Sequence, residues 1–376
     1  MIAVVVLLGA GFLAYRFLSA RVDLAGFLGE GEVASVGVPE GFRVNVFAGD
    51  LNGPRFMALG PDGAVYVADR GNDRIVALPD DDGDGRADEV RVFAAGLDRP
   101  HSIVFHEGAW YVGVPDAVIR LQDSDGDGKA DVRETVVNLP AGGAHTTRTV
   151  AFLPDGRMVV SIGSTCNVCE EEDRRRAAIV VYDGPDGGGE RLYASGLRNA
   201  VGLAVHPQTG QLWASNNGRD FMGDDLPPET VYAVEEDAYY GWPVCQSGDI
   251  VDPDLGFPGA CDGVAEPVVE MQAHSAPLGI TFYDGEMFPQ AFRGNLFIAF
   301  HGSWNRSVPT GYKVVRLPFE DGEATGQVVD FATGWLDAEA EVASGRPVDV
   351  LVGAGGALYV SDDKAGLIYR ISYTGP

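Results

Sequence analysis

One short pattern recurs six times along the chain, and it leaves few folds open. Each copy has an apolar strand, a turn often spelled Pro-Asp-Gly, a second strand rich in Tyr, Trp and Val, and a third β-branched strand. The first strands end at Leu59, Phe105, Phe152, Val205, Phe282 and Val352, with longer intervals, and so insertions, before the last two. The second strands are Val65–Ala68, Trp110–Gly113, Met158–Ser161, Leu212–Ser215, Leu296–Ala299 and Leu358–Ser361. The third strands are Ile75–Leu78, Val118–Leu121, Ile179–Tyr182, Val231–Val234, Val314–Leu317 and Leu367–Ile371. Fourth strands follow in places, as at Val90–Phe93, Thr135–Asn138 and Val268–Met271. Strands this short, with tight turns at blade-sized spacing, predict an all-β chain folded as a six-bladed β-propeller. The strand at Phe42–Phe47 has no unit of its own, so it is expected to complete the last blade and remove an exposed edge. An open sandwich of the same strands does not explain six copies of one pattern.

In a propeller the innermost strand of every blade enters from the same face. The residues just before each first strand therefore converge on the channel: Arg55, His101, His145 with Arg148, Arg198 with Asn199, His274, and Arg346. The chain carries a formal net charge of −28, so a ring of cations and imidazoles at one mouth predicts an anionic ligand there. The same charge argues against nucleic acid, which needs a basic footprint. Ser195–Pro243 concentrates the features of a site. Arg198 and Asn199 stand at the mouth of a strand, a Gly-bearing loop runs Asn216-Asn217-Gly218-Arg219-Asp220, and two acids and an aromatic corner follow at Asp224-Asp225 and Tyr239–Pro243.

Residues 2–15 are an uninterrupted apolar run, short for a spanning helix and right for the core of an export signal. Arg16 and Arg21 follow it, and no Ala-x-Ala cleavage site is evident, so a removed signal and an uncleaved membrane anchor both fit. The expected division is 1–20 signal or anchor, 21–35 linker, and 36–376 propeller, with an exported, periplasmic or cell-surface location. An even count of four cysteines in an exported chain favours two disulfides, paired by proximity as Cys166–Cys169 and Cys245–Cys261. A four-thiolate zinc site is the alternative.

Two acidic loops have calcium-ligand spacing. Asp123, Asp125, Asp127, Lys129 through its carbonyl, Asp131 and Glu134 occupy the ligand positions of a D-x-D-x-D-G-x5-E loop, with Gly128 at the bend. Asp80, Asp82, Asp84 and Asp88 repeat it, but Arg91 stands where the final Glu belongs. Neither loop is flanked by a helix pair. Both are expected between blades, away from the channel mouth, in a structural role.

The chain resembles the soluble glucose dehydrogenase and L-sorbosone dehydrogenase family over roughly residues 36–374. These are six-bladed propellers that use pyrroloquinoline quinone (PQQ), and the fungal PQQ-dependent pyranose dehydrogenase domain belongs to the wider group. The resemblance rests on Ala144–Val150 around His145 and Arg148, Gly196–Asn199, Asn216–Asp220 with Asp224-Asp225, and Tyr240–Pro243. His301–Arg306 and Arg346–Asp349 add to it.

The resemblance implies that His145 is the base that takes the proton from a sugar's anomeric hydroxyl as hydride leaves for the quinone C5. Arg198 would stand beside the reacting quinone oxygen and Asn199 would contact the cofactor. The carbonyls of Gly218 and Arg219 would hold a calcium ion that bridges to PQQ. Asp224, Asp225 and the Tyr240 carbonyl would serve a nearby structural calcium, and Arg346 would bind a cofactor carboxylate. Arg306, or Lys313, falls where the family has a cofactor-binding lysine. Arg55, His101, Arg148, Arg219 and His274 complete the expected cofactor contacts. The sequence departs from the family at Ala144, where an Asp precedes the catalytic His, and at Val348, where a second arginine stands.

A tricarboxylate quinone suits arginines from several blades, since bidentate pairing favours Arg over Lys. The expected activity is therefore PQQ- and calcium-dependent oxidation of a sugar or aldehyde, with electrons passing to an external cytochrome or quinone. A calcium-dependent lactonase of the gluconolactonase type would line the channel with Glu, Asn and Asp rather than Arg and His. A non-catalytic propeller that binds a protein or glycan also shares the fold.

Overall fold

All six second strands are buried along their whole length: Val65–Asp69, Ala109–Val114, Met158–Ile162, Leu212–Asn216, Leu296–Phe300 and Leu358–Asp362. A strand can be buried at every residue only if both of its faces are covered, because side chains alternate between them. In the computed structural model, which describes residues 36–375, the cover on each face is the neighbouring blade. Val65 and Val67 pack with Phe47, Tyr359 and Ile368 of the sixth blade, while Tyr66 and Ala68 pack with Trp110 and Val112 of the second. Further clusters join blades two and three, three and four, and four and five. The apolar sequence of these strands thus makes sense only inside a ring of blades.

Each blade is an antiparallel four-stranded sheet, and blade three gains a fifth, parallel strand. The six innermost strands are Pro54–Leu59, Ser102–His106, Arg148–Phe152, Ala200–Val205, Pro277–Phe282 and Pro347–Val352. They end at the residues expected from the repeat, give or take one. Phe42–Ala48 pairs antiparallel with Leu367–Tyr373, in the register Phe42↔Tyr373, Val44↔Ile371 and Val46↔Tyr369. The first segment of the propeller therefore completes its last blade. Phe42 is held there by Phe288, Phe292, Phe331 and Tyr373, whose ring centroids lie 4.7–5.2 Å from its own.

Around the axis, neighbouring inner strands are stitched by hydrogen bonds from one blade to the next. Ser102 Oγ donates to the Arg148 carbonyl, Thr149 Oγ1 to Val201, and Ser215 Oγ to Leu278, all at 2.6–2.8 Å. The Met57 amide donates to Asp349 at 2.8 Å, joining blade one to blade six. The strands approach so closely that a Cβ on Gly202 would overlap the Leu278 carbonyl, and one on Gly279 would overlap Asp349.

The insertions sit where the longer intervals placed them. In blade four, Ala238–Tyr239 crosses back to pair with Arg191–Ser195 of blade three, and the hairpin of Cys245–Gln246 with Ile250–Val251 follows. Both disulfides form as expected, Cys166–Cys169 and Cys245–Cys261, so the thiols are not a zinc site. The expected signal or anchor (1–20) and linker (21–35) lie outside the described residues.

Phe42→Ala removes the aromatic anchor of the closing strand and should cost about 3–5 kcal/mol, the usual range for a buried Phe. Denaturant melts of the two proteins measure it; a loss below about 1 kcal/mol would mean that the strand is held by its backbone pairing alone.

Candidate active site

Six inner strands ending on one face leave a cavity of about 390 Å³ at the channel mouth, within the range of about 300–1,000 Å³ that small-molecule sites occupy. Phe56, Val201, Leu278 and Val348, from blades one, four, five and six, form an apolar plug, and Val201 and Leu278 are its surface toward the cavity. Val348 is fully buried in this plug, so the position where the family has its second arginine serves here as packing. Polar side chains ring the apolar floor.

His145 and Arg198 share one side of the cavity. His145 Nδ1 lies 2.9 Å from both the carbonyl and the hydroxyl oxygen of Ser164. The Ser164 hydroxyl donates to the Cys166 carbonyl, so the proton between Ser164 and the imidazole belongs to Nδ1. That tautomer leaves Nε2 as an acceptor. Burial, and then the Arg198 charge, pull the His145 pKa down to about 4. The ring is therefore neutral across the physiological range and able to take a proton. The Arg198 guanidinium is 5% exposed and fully engaged. Its Nε donates to the Asn167 carbonyl at 3.0 Å, Nη2 to Asn167 Oδ1 and Asp220 Oδ2 at 2.9 Å each, and Nη1 to the Gly218 carbonyl at 2.6 Å.

The other side is built from blades one, five and six. Arg55 Nη1 pairs with Asp363 at 2.7 Å, and Asp363 also takes a 2.9 Å hydrogen bond from His301 Nε2. Burial opposes ionisation of Asp363, but the His301 hydrogen bond and the nearby positive charge outweigh it and hold the carboxyl down at about 2. Burial is also the largest cause of the fall in the His301 pKa to about 4, so the charge in this trio is carried by Arg55 and Asp363. Arg346 differs from Arg55 and Arg198. Its Nε and Nη2 donate to the carbonyls of His301 and Gly302, at 3.0 and 2.9 Å, and it pairs with no carboxylate among the described residues.

Glu229 lies against the Gly218 loop, 3% exposed, accepting from the Gly218 amide at 2.7 Å and the Ala276 amide at 3.3 Å. Burial pushes its pKa up to about 7. Asn305 donates to Asp220 Oδ1 at 2.9 Å, while its own Oδ1 is buried with no hydrogen-bond partner among the described residues. His274 Nε2 is 2.9 Å from the Gly223 carbonyl. Trp304 lines the cavity and is 67% exposed, edge-on to the equally exposed Phe221.

The structure thus brings Arg55, His145, Arg198, Asn199, Gly218, His274 and Arg346 to one cavity. Several other expected cofactor contacts point elsewhere. Arg148 opens its inner strand instead of preceding it, and its fully buried guanidinium donates to the carbonyls of Pro140, His145 and Thr147. It anchors the loop that carries His145. His101 is 1% exposed behind Arg55, with Nδ1 accepting from Arg55 Nε at 3.3 Å. The Arg219 side chain turns outward to Asp252 and Asp254, at 2.7 and 2.9 Å. Arg306 ties two loops together through the Asp224 carbonyl and the Asp225 carboxylate. Lys313 starts a third strand and pairs with Asp330 at 2.6 Å. None of these five lines the cavity.

The expected metal ligands divide similarly. Asp80, Asp82 and Asp84 form one group whose carboxylate oxygens lie within 4.8 Å of one another, and Asp123, Asp125 and Asp127 form another. Both loops link the third and fourth strands of a blade, and each leans on the preceding blade through Ala87 N–Phe47 O and Ala130 N–Phe93 O hydrogen bonds. Glu134 does not close its loop, because it lies on the strand Val132–Asn138 and pairs with Arg120 at 3.0 Å. Asp131 instead accepts from Ser124, and Asp88 from the Asp81 amide at 2.7 Å. Asp224 accepts from the Ser307 amide and hydroxyl. Tyr240 is 3% exposed in the blade three–four core, its hydroxyl accepting from the Glu235 amide. Neither Asp224 nor Asp225 joins a group of three carboxylates among the described residues.

Sequence reasoning assigned no role to Asp220, Glu229, Asn167, His301 or Asp363. Asp220 and His301 stand inside motifs already singled out, so their place near the site was readable. Glu229 opens a strand and Asp363 follows one, and neither carries a motif.

A neutral imidazole, a buried guanidinium and an arginine that pairs with no carboxylate among the described residues thus surround the axial cavity of a six-bladed propeller. The chain belongs to the TrAA12-like family, whose model matches residues 36–248 and 259–374. It is 27% identical over 401 residues to the pyrroloquinoline quinone-dependent pyranose dehydrogenase of Coprinopsis cinerea, covering 89% of this chain and 54% of that protein. The chain thus spans about half the length of that relative. An uncharacterized protein of Borreliella burgdorferi is 26% identical over 375 residues, 95% of each chain. The holo form of the C. cinerea pyranose dehydrogenase PQQ domain superposes with a TM-score of 0.78 at 24% identity, covering 90% of this chain and 97% of that one.

In an NMR titration His145 should stay neutral until about pH 4, against about 6.5 for an unperturbed imidazole. Arg198→Ala should raise that midpoint by removing the second cause of the shift. A His145 midpoint near 6.5 in the wild-type chain would contradict the buried site described.

Proposed function

We propose that the chain is a PQQ-dependent oxidoreductase that oxidises a sugar or related aldehyde and passes the electrons to an external acceptor. One observation carries the reading beyond family membership. A neutral imidazole and a guanidinium lie together on one side of the cavity, and an arginine without a carboxylate stands on another. The residues fit the quinone. Arg346 is free to take a carboxylate, the orphaned Asn305 Oδ1 awaits a donor, and an apolar floor suits a flat ring system. When bound, the quinone supplies the hydride acceptor, chemistry that no side chain can replace.

The chain's own residues then have definite tasks. Nε2 of His145 takes the hydroxyl proton of the substrate, with Ser164 fixing the tautomer; a general base of this kind contributes about 10²–10⁴ in rate. Arg198 would hold positive charge beside a bound quinone, and its burial would strengthen that effect. Arg346, with Arg55 held by Asp363, grips the cofactor's carboxylate rim.

We further assign calcium to the Gly218 and Arg219 carbonyls. The buried Glu229 carboxyl, pushed up to about 7, lies against the Gly218 loop, and a hard cation there would favour its ionised form. Arg198 Nη1 holds the Gly218 carbonyl, so the cation competes with the guanidinium for that oxygen. The Asp80 and Asp123 loops are assigned calcium as braces between blades. Two disulfides and the apolar residues 2–15 support export to an oxidising compartment, by cleavage of a signal or through an anchor.

The test is reconstitution of the full chain with calcium and PQQ, followed by dye reduction with a panel of aldoses and keto-aldehydes. His145→Ala and Arg198→Ala should each lower kcat by at least about 10²-fold. Equal rates in wild type and both variants would refute the site assignment, and no quinone-dependent turnover with any substrate would refute the function.

A further inference from the structure

Between Cys166 and Cys169 the chain closes a ring that stands behind the reacting side of the cavity, and Asn167 is its inward-facing residue. Its polar atoms meet three different partners. The carbonyl accepts from Arg198 Nε at 3.0 Å and from Trp242 Nε1 at 3.2 Å. The side-chain Oδ1 accepts from Arg198 Nη2 at 2.9 Å and from the Asp220 amide at 2.8 Å. Its Nδ2 donates to the Asp220 carbonyl at 3.0 Å. The same small ring serves His145 as well, because the Ser164 hydroxyl that meets the imidazole donates to the Cys166 carbonyl at 2.7 Å. Both groups that face the reaction therefore take their placement from one covalently closed turn.

We propose that Asn167 is the positioning residue of the reacting side: it sets the plane of the Arg198 guanidinium and fixes the Asp220 peptide against it. The inference rests on the dehydrogenase reading for its catalytic consequence, though not for its geometry. Arg198 carries a flat fork of donors whose direction must be chosen by acceptors. Asp220 supplies one carboxylate oxygen to Nη2 at 2.9 Å and the Gly218 carbonyl one to Nη1 at 2.6 Å, and neither holds Nε. Asn167 adds two oxygens, main chain and side chain, that engage Nε and Nη2 together. Nη1 alone is left to point along the Gly218 loop, where it meets that carbonyl. The side-chain amide of Asn167 also mimics a backbone pairing with Asp220, receiving from its N–H and donating to its C=O. The residue that pairs with Arg198 is thus clamped by the same group that orients Arg198. The disulfide matters because two cysteines three residues apart leave Asn167 few conformations to lose when it makes these bonds.

Asn167→Ala removes the side-chain contacts and leaves the main-chain carbonyl, and Asn167→Asp keeps a side-chain acceptor for Arg198 Nη2 and the Asp220 amide without the donor to the Asp220 carbonyl. Crystal structures of both variants without cofactor test the geometry directly. The expected result is an Arg198 guanidinium that has rotated away from its wild-type plane in Asn167→Ala and stays in place in Asn167→Asp, with melting temperatures close to wild type. Kinetics of the reconstituted enzymes add the functional arm. Asn167→Ala should lose about 10- to 100-fold in kcat, the scale of a small misplacement of a group near the reaction, with KM and the affinity for PQQ changed less than about threefold. Asn167→Asp should lose less. An unmoved Arg198 in Asn167→Ala overturns the proposal, as does a loss of melting temperature and PQQ affinity in step with kcat, which marks a merely structural role. If wild type itself shows no PQQ-dependent turnover, the dehydrogenase reading fails while the crystal structures still decide the position of Arg198.

Discussion

Burial of the second strands on both faces is the constraint from which the rest follows. A sheet of this composition has no solvent side, so each blade must find a neighbour left and right, and six blades satisfy one another only by closing. Closure then needs the chain ends joined, which Phe42–Ala48 does by pairing with Leu367–Tyr373. It also forces the inner strands together, close enough that serine and threonine hydroxyls bond the next blade's backbone and a glycine is required at Gly202. Loops from separate blades, distant in sequence, consequently end around one cavity. The site is a product of ring closure, and no single blade contains it.

Electrostatics inside that cavity run against the charge of the whole. The chain carries a formal charge of −28, yet three arginines reach the cavity. Two of them are neutralised, Arg55 by Asp363 and Arg198 by Asp220, and their burial without those partners would be costly. Among the described residues the Arg346 side chain hydrogen-bonds to carbonyls only. This division gives each arginine a different capacity: a paired guanidinium is held in position, and an unpaired one attracts an anion. His145, kept neutral by burial and by Arg198, complements the arrangement as a proton acceptor.

Strand order, closure by the leading segment and both disulfides were legible because they follow from periodicity and spacing. Which cations reach the cavity was only partly legible, for a reason that local sequence cannot carry. Arg148 and Arg198 occupy comparable places in adjacent repeats. One finds three backbone carbonyls in its own loop, and the other finds Asn167 and Asp220 across the site. Arg219 and Arg306 were drawn away by Asp252 and Asp225, carboxylates of the insertion, and Lys313 by Asp330 on the strand that pairs with its own. Spacing also placed Glu134 as a twelfth-position ligand, but strand pairing puts it beside Arg120 instead. Asn167 had no signal except its place between two cysteines.

The account comes down to whether the carboxylate-free arginine and the imidazole–guanidinium pair receive a single flat anion. A crystal structure of the full chain soaked with PQQ answers that most directly. The expected density shows the quinone over Val201 and Leu278, a carboxylate on Arg346, and the reacting carbonyls beside His145 and Arg198. A cavity without quinone at saturating concentration, or quinone bound outside it, would contradict the account and leave only the ring of blades.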